Sequence, residues 1–583
     1  MAELGDRLRV AREEMGITLE EASEETRISS TYLEALEAED LGVFASHSHA
    51  RGFLRNYSAF LGLEYDDVAG AFDQLPAHAH HRSGTPEPAS EGGRGKRGST
   101  LLADFLLVLV VLSLLGLGAF TVYQRQNVRE VTPTPGPEPT PTATPMPVFE
   151  GTDYSLDVYL DYGKHRLDVQ ERIDYTNATS ETLTNLMLNI HPNHSRGVFE
   201  LKDIKVDVDG ELVKPETDLL DVTLRVDLPR ALRPDDHVAL LLDFGLNLPK
   251  INPGEQFNKA SFGYSQRSVS LGNWYPVLAP YREDKGWYGL KYFSVGDPYV
   301  TEVADYHVTI TTTKDVVVAG TGQEIRSGKA WKYEAEQARS FAFAASDRYQ
   351  KATTQAGDVT VSAYYFPDAQ DAGEVVLETA AQAIQLFSEL YGPYPYTDYR
   401  IAETEFAGGM EFSGLTFLGS TFYDRYDGTT RTPLIPLAAH EVSHQWFYGI
   451  VGNDQLTEPW LDEAIAEYSG YLFYERYLPD DTDWWWTSSV DQWVPTGKID
   501  SLVYEFRSNR EYVDAVYRRG AQFIRDLREA MGDPAFFAFL QEYQRRNAYR
   551  LAKSRDFFAL IQEFTTADLV PLQEEYFRQR IVP

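Results

Sequence analysis

Residues Leu101 to Tyr123 form an apolar run that carries no charge from Phe105 onward, set between two polar, proline-containing stretches. No single core can close over such a break, so the chain must fold as separate bodies on either side of it. A helix crosses a bilayer with about 20 apolar residues, and 101–123 is expected to be a transmembrane helix. A hundred folded or polar residues precede it, which sets it apart from a cleavable signal segment. Before it, residues 76–100 are rich in Gly, Ser, Pro and His and are expected to be a disordered linker. After it, residues 124–148 form a Pro/Thr-rich stalk. As polyproline helix, Val131 to Pro147 would reach about 50 Å at roughly 3.1 Å per residue. Arg82, Arg94, Lys96 and Arg97 precede the run, whereas Arg125 and Arg129 follow it. This basic bias puts the N-terminus in the cytoplasm and residues 124–583 outside the membrane.

Residues 1–75 read as a small all-α domain. Apolar positions recur at helical spacing at Leu4, Leu8, Leu19, Ala22, Tyr32, Leu33 and Leu36. Thr18 and Glu21 make a capping box for a second helix. Ile28-Ser29-Ser30 is a turn before a third, and Phe53 to Ser58 begins another. This is a helix-turn-helix pattern. The run LGDRLRVAREEMGITLEEASEETRISSTYLEALEAED…ARGFLRNYSAFLGL resembles the cytoplasmic helix-turn-helix domain of RodZ-like bacterial membrane proteins. The resemblance implies a protein partner of the actin-like MreB cytoskeleton type. Charge agrees: the would-be recognition helix carries Glu34, Glu37 and Glu39 and no basic residue, which phosphate would repel. Nucleic acid is therefore not the expected partner, and a net charge of −35 argues the same for the whole chain.

From about Phe149 to Ser346 the pattern has period two. Tyr154, Leu156, Val158 and Leu160 alternate with polar residues, and His237–Leu248 and Tyr306–Thr312 read as further strands. The aromatics of Asn273-Trp274-Tyr275-Pro276-Val277 are expected in the core. From about Asp347 onward helices dominate. Glu378–Tyr391 reads as a helix ending before Gly392-Pro393, and Ile401–Phe406 as a strand running into a Gly408-Gly409-Met410-Glu411-Phe412 loop. Trp484, Trp485 and Trp486 are expected to be buried, without a site role.

The chemistry concentrates in His440-Glu441-Val442-Ser443-His444. On a helix, residues four apart share one face, so His440 and His444 can hold one metal ion between them. Glu441 points elsewhere and is placed to take a proton from an attacking water. There is no cysteine, so a third ligand should be a carboxylate. Glu463, eighteen residues beyond His444 on a helix-like run from Leu461 to Tyr474, is the candidate, and Glu467 one turn on would orient an imidazole.

HEVSHQWFYGIVGND…EPWLDEA resembles the zinc-binding region of the gluzincin aminopeptidases, peptidase family M1. Gly408-Gly409-Met410-Glu411-Phe412 is similar to that family's G-x-M-E-N exopeptidase loop, and Tyr517-Arg518-Arg519-Gly520-Ala521 to its Tyr-x-Lys-Gly segment. The resemblance covers about residues 150–583. It implies a saddle-like all-β domain at 149–346 and an α+β thermolysin-like catalytic domain at 347–583. It implies one Zn²⁺ held by His440, His444 and Glu463, with Glu441 and Tyr517 catalytic. Gly408, Gly409, Met410 and Glu411 would bind a peptide with a free N-terminus. Two positions depart from the family: Phe412 stands where it has asparagine, and Arg519 where it has lysine. Only a short stretch follows Gly520, so the family's large C-terminal helical domain is not expected. Glu403 and Glu405 would supply a second contact to the substrate amine. The expected protein is thus a single-pass bacterial membrane aminopeptidase with an extracytoplasmic catalytic domain. A thermolysin-like endopeptidase, a non-catalytic RodZ-like envelope or cytoskeletal scaffold and a membrane-tethered DNA-binding regulator are the alternatives.

Overall fold

The computed structural model describes residues 151–582 apart from 252–260, 284 and 298. It also describes four helices between residues 4 and 60, the turns flanking them and isolated positions up to 72. The expected linker at 76–100, transmembrane helix at 101–123 and stalk at 124–148 lie outside the described residues. Among the described residues no helix is long and apolar enough to cross a membrane. The chain divides into two compact units, Met1–Glu138 and Pro139–Pro583.

In the first unit, α1 (Leu4–Glu14), α2 (Leu19–Thr26), α3 (Ser30–Glu37) and α4 (His47–Phe60) enclose Leu4, Leu8, Ala22, Leu33, Leu36, Leu54 and Tyr57. The fourth helix begins at His47, six residues before the sequence suggested. Two of the three acids read as free charges on α3 are consumed by the fold. Arg12 Nε and Nη2 each donate to Glu37 at 2.8 Å, and the Tyr57 hydroxyl donates to it at 2.5 Å. Glu39 Oε1 accepts from the Gly5 N–H at 2.8 Å. Glu34 alone of the three is exposed. Arg12 neutralises Glu37 while Glu39 keeps its charge, so the repulsion expected towards phosphate is reduced by one side chain.

The second unit begins with an eight-stranded sheet. Its strands are β1 (Thr152–Asp161), β2 (Arg166–Thr176), β3 (Phe199–Val208), β4 (Glu211–Val213), β5 (His237–Asn247), β6 (Ala304–Thr312), β7 (Gln323–Ser327) and β8 (Ala330–Ala338). Their order is β7-β8-β6-β1-β2-β5-β3-β4, with β1 and β6 parallel and the other pairs antiparallel. Alternation sets the register: Tyr154, Leu156, Val158 and Leu160 turn inward against a four-stranded sheet that contributes Leu186, Leu188, Leu224 and Val226. Trp274 and Tyr275 lie in this core.

A five-stranded mixed sheet follows: β9 (Gln350–Ala356), β10 (Val359–Tyr365), β11 (Asp398–Thr404), β12 (Gly409–Phe412) and β13 (Leu415–Gly419), in the order β9-β10-β11-β13-β12. Helix α5 (Gln370–Tyr391) covers it with Val376, Ala380, Ile384, Phe387 and Tyr391, spaced three and four apart. It starts eight residues earlier than expected. Helices α6 (Leu434–Ser443) and α7 (Trp460–Tyr477) pack together beyond the sheet. Pro436 is tolerated because the N–H it lacks would find no intrahelical carbonyl in the first turn of α6. A smaller cluster, in which Ala342, Ala344 and Tyr349 meet Met410, Phe412 and Phe417, joins the β-rich part to the second sheet.

Candidate metal centre and active site

His444 caps the C-terminus of helix α6, whose last turn faces the first turn of α7. His440 Nε2 and His444 Nε2 are 3.1 Å apart, and Glu463 Oε2 lies 3.4 and 3.3 Å from them. All three residues are buried, and Glu463 Oε2 has no hydrogen-bond partner among the described residues. A tetrahedral ion with bonds of about 2.1 Å has ligand–ligand edges of about 3.4 Å. The three donor atoms stand at that spacing, so the residues fit a zinc ion with one position left for water or substrate. Each imidazole is oriented from behind. His444 Nδ1 donates to the Phe447 carbonyl at 2.9 Å, which leaves the Nε2 lone pair facing the cluster. His440 Nδ1 lies 3.2 Å from Glu467 Oε2.

Glu441 is buried beside the triad. A Cβ on Gly409 would stand 1.9 Å from Glu441 Oε1, so the missing side chain there is what admits the carboxylate. Burial pushes Glu441 up to about 8, with the His440 and His444 charges opposing and the Glu411 carboxylate reinforcing the shift. The Tyr517 hydroxyl donates to Glu463 Oε1 at 2.6 Å, and its ring stacks over His440 with centroids 5.7 Å apart. Tyr517 sits on a π-helical turn, Val513–Arg518, a distortion frequent at functional sites. Two residues on, Gly520 lets helix α8 (Arg519–Met531) lie against α7, since a Cβ there would meet Ala464 Cβ at 2.6 Å. Arg519, in the family's lysine position, points away and binds Glu575 at 2.7 Å.

Of the Gly408–Phe412 segment, Gly409–Phe412 form an edge strand, β12, rather than a loop, and Gly408 lines the cavity just before it. Strand alternation then splits its side chains. Gly409 and Glu411 line the cavity, whereas Met410 and Phe412 turn into the apolar cluster behind it. Met410 is thus a core residue, against expectation. Phe412 is accommodated because it faces Gly272 of the β-rich part, with no room for a Cβ there. Glu403 and Glu405 also depart from expectation: Arg267 Nη2 and Nε bind them at 2.8 and 2.9 Å, and neither lines the cavity.

The cavity has a volume of 560 Å³ and two unlike ends. One end is acidic. Glu411 is 4% exposed and accepts from Gln455 Nε2 at 3.4 Å, and Asp297 lines the same wall. Burial and the Glu411 charge hold the Asp297 carboxyl well above the usual carboxylate range. The other end runs along the α6–α7 seam past Leu437 and Gly470 to Phe422, Trp484, Trp493 and Val513. Trp484, Trp485 and Asp297 had no role in the sequence reading. The one local mark on Asp297 in the sequence is its place between a glycine and a proline; the tryptophans carried no signal beyond their clustering.

Residues 375–576 match the family profile described as Peptidase family M1 domain, and residues 7–68 match a helix-turn-helix domain. The chain therefore carries a peptidase family M1 domain behind a helix-turn-helix domain. It is 30% identical over 232 residues to Aminopeptidase M1 of Arabidopsis thaliana, covering 36% of this chain and 26% of that protein. It is 25% identical over 230 residues to human Endoplasmic reticulum aminopeptidase 1, covering 37% and 24%. The chain thus spans about a quarter of the length of these curated relatives. The M1 zinc metallopeptidase from Deinococcus radiodurans shares the fold, with a TM-score of 0.53 and 18% identity over 75% of this chain and 96% of that one. A mutant of that protein has been solved bound to a Tyr-Ser-Ala substrate.

Proposed function

We propose that this protein is a zinc aminopeptidase that removes the first residue of peptides with a free N-terminus. The observation that carries the reading is the pairing, in one cavity, of a zinc-fitting His-His-Glu cluster with a buried acidic end. An ion held by His440, His444 and Glu463 would acidify water and polarise the scissile carbonyl. Glu441 takes the proton of the attacking water and passes it to the leaving amine. Tyr517 turns its hydroxyl from Glu463 to the oxyanion that develops on the substrate. Glu411 and Asp297, crowded and short of counter-charge, hold the substrate α-ammonium and so fix the cut one residue in.

The apolar run 101–123 would anchor the enzyme in a bacterial membrane, with the catalytic part outside and the helix-turn-helix domain inside. The polarity bias of the flanking basic residues supports that orientation. The helix-turn-helix domain would then bind a cytoplasmic protein of the cytoskeletal kind.

The test uses the full chain in detergent, assayed on aminoacyl-anilides and on the same residues N-acetylated. Cleavage confined to free amines, lost to a chelator and restored by zinc, is expected. Equal cleavage of blocked substrates would replace the reading with an endopeptidase.

A further inference from the structure

Arg339 follows strand β8 and is 2% exposed. Among the described residues no acidic side chain hydrogen-bonds it, the Glu302 carboxylate acts on it through its charge alone, and its guanidinium is spent on backbone carbonyls. Nε donates to the Tyr448 and Gly449 carbonyls at 2.6 and 3.3 Å. Nη1 donates to Thr301 at 2.8 Å, and Nη2 to Ile450 and Arg550 at 3.3 and 3.5 Å. Its own backbone N–H donates to Ser413 Oγ at 2.9 Å. Gly452 makes the room, because a Cβ there would lie 2.4 Å from Arg339 Cζ.

The segments that meet at this one group are those that carry the site. Thr301 lies four residues after Asp297, Ser413 two after Glu411, and Tyr448 four after His444. The Phe447 carbonyl, which takes the His444 Nδ1 proton, immediately precedes Tyr448. Tyr448 itself has φ +128°, a conformation costly for any residue but glycine. Backbone bonds close the turn, with the Tyr448 N–H on the Val451 carbonyl at 2.9 Å and the Gly449 N–H on the His444 carbonyl at 2.8 Å, and the 2.6 Å bond from Arg339 Nε ties the outward-facing Tyr448 carbonyl to the rest of the site.

We propose that Arg339 is a positioning residue for the metal centre, which it serves by clamping the Tyr448–Ile450 turn so that the Phe447 carbonyl fixes His444. Burying a guanidinium with no carboxylate in hydrogen-bond contact is expensive, and the planar fork alone can serve acceptors in three chain segments at once. A lysine in its place has one ammonium and cannot span them. The turn then relaxes, the Phe447 carbonyl drifts, and His444 loses its fixed tautomer and direction. Loss of such an outer partner of a ligating histidine lowers metal affinity by about 10–100-fold.

The proposal rests on the zinc reading of the cluster and not on the peptidase reaction. The experiment measures zinc affinity of the full chain by competition with a chromogenic chelator, and the visible spectrum of the Co²⁺ form. Arg339→Lys should bind zinc at least tenfold more weakly and shift the cobalt bands. Leu240→Ala, a core truncation in the β-rich sheet, should lower the melting temperature with affinity and bands unchanged. Should Arg339→Lys fail to fold, hydrogen exchange on the wild-type protein decides. Zinc should slow exchange at the Tyr448, Gly449 and Ile450 amides, because coupling between turn and ligand is reciprocal. An Arg339→Lys protein with wild-type zinc affinity and cobalt bands, or exchange at the turn indifferent to zinc, overturns the proposal. Failure of the wild type to bind zinc would overturn the metal reading as well.

Discussion

Gly409 and Glu441 illustrate how closely single residues are matched in this site. With 1.9 Å between a hypothetical Cβ and Glu441 Oε1, Gly409→Ala must displace the carboxylate. Activity should fall by at least the 10²–10⁴-fold typical of a lost general base, while zinc content stays at one per chain by atomic absorption. Glu441→Gln should do the same without steric change. Tyr517→Phe removes a single donor, and kcat should drop about 10²–10³-fold with KM little changed. His440, His444, Glu463 and Glu441 were legible in the sequence because they are local: two helical turns and one spacing define them. Asp297 was not, since it comes from the β-rich part and meets Glu411 only through tertiary packing.

At the scale of elements, strand parity decides which side chains work. Reading the Gly-Gly-Met-Glu-Phe segment as a loop made Met410 and Glu411 equivalent, whereas β12 sends them to opposite faces. Parity also exposes a cost in β2. Glu171 occupies the inward series with Leu167, Val169 and Ile173, is 3% exposed, and neither carboxylate oxygen has a hydrogen-bond partner among the described residues. Burial raises its folded-state pKa well above 4.5. A carboxyl so raised stabilises the fold fully below the unfolded value, and that stability drains away as pH rises towards the folded value. Glu171→Leu should therefore be more stable than wild type at pH 7, and its advantage should grow by up to about 1.4 kcal/mol per pH unit above 4.5. Thermal unfolding across pH 4–7 measures it; a constant difference would show Glu171 to be solvated. On α7, Gly470 lines the apolar arm of the cavity beside Pro436 and Trp485. Trp484→Ala should lower kcat/KM for leucyl or phenylalanyl anilides by about tenfold, and for alanyl anilide far less.

Across the whole molecule, composition marked the broad divisions: the period-two region, the later helical region and the acidic N-terminal helices were visible as pattern. What pattern could not give was convergence, where side chains far apart in sequence come to share one wall. The cavity draws on Asp297, Glu411, Glu463, Trp484 and Tyr517, and Arg339 binds carbonyls from residue 301 to residue 550. The peptidase family M1 domain has a zinc-fitting cluster with an acidic end beside it, and the proposed aminopeptidase activity requires that this end bind the substrate amine. The most direct measurement compares kcat/KM of wild type and Glu411→Gln on leucyl-anilide and on its N-acetylated form, with zinc content verified. The account predicts at least a hundredfold fall on the free amine and no cleavage of the acetylated form by wild type. Equal rates on both substrates in wild type, or a Glu411→Gln enzyme as fast as wild type on the free amine, would contradict it.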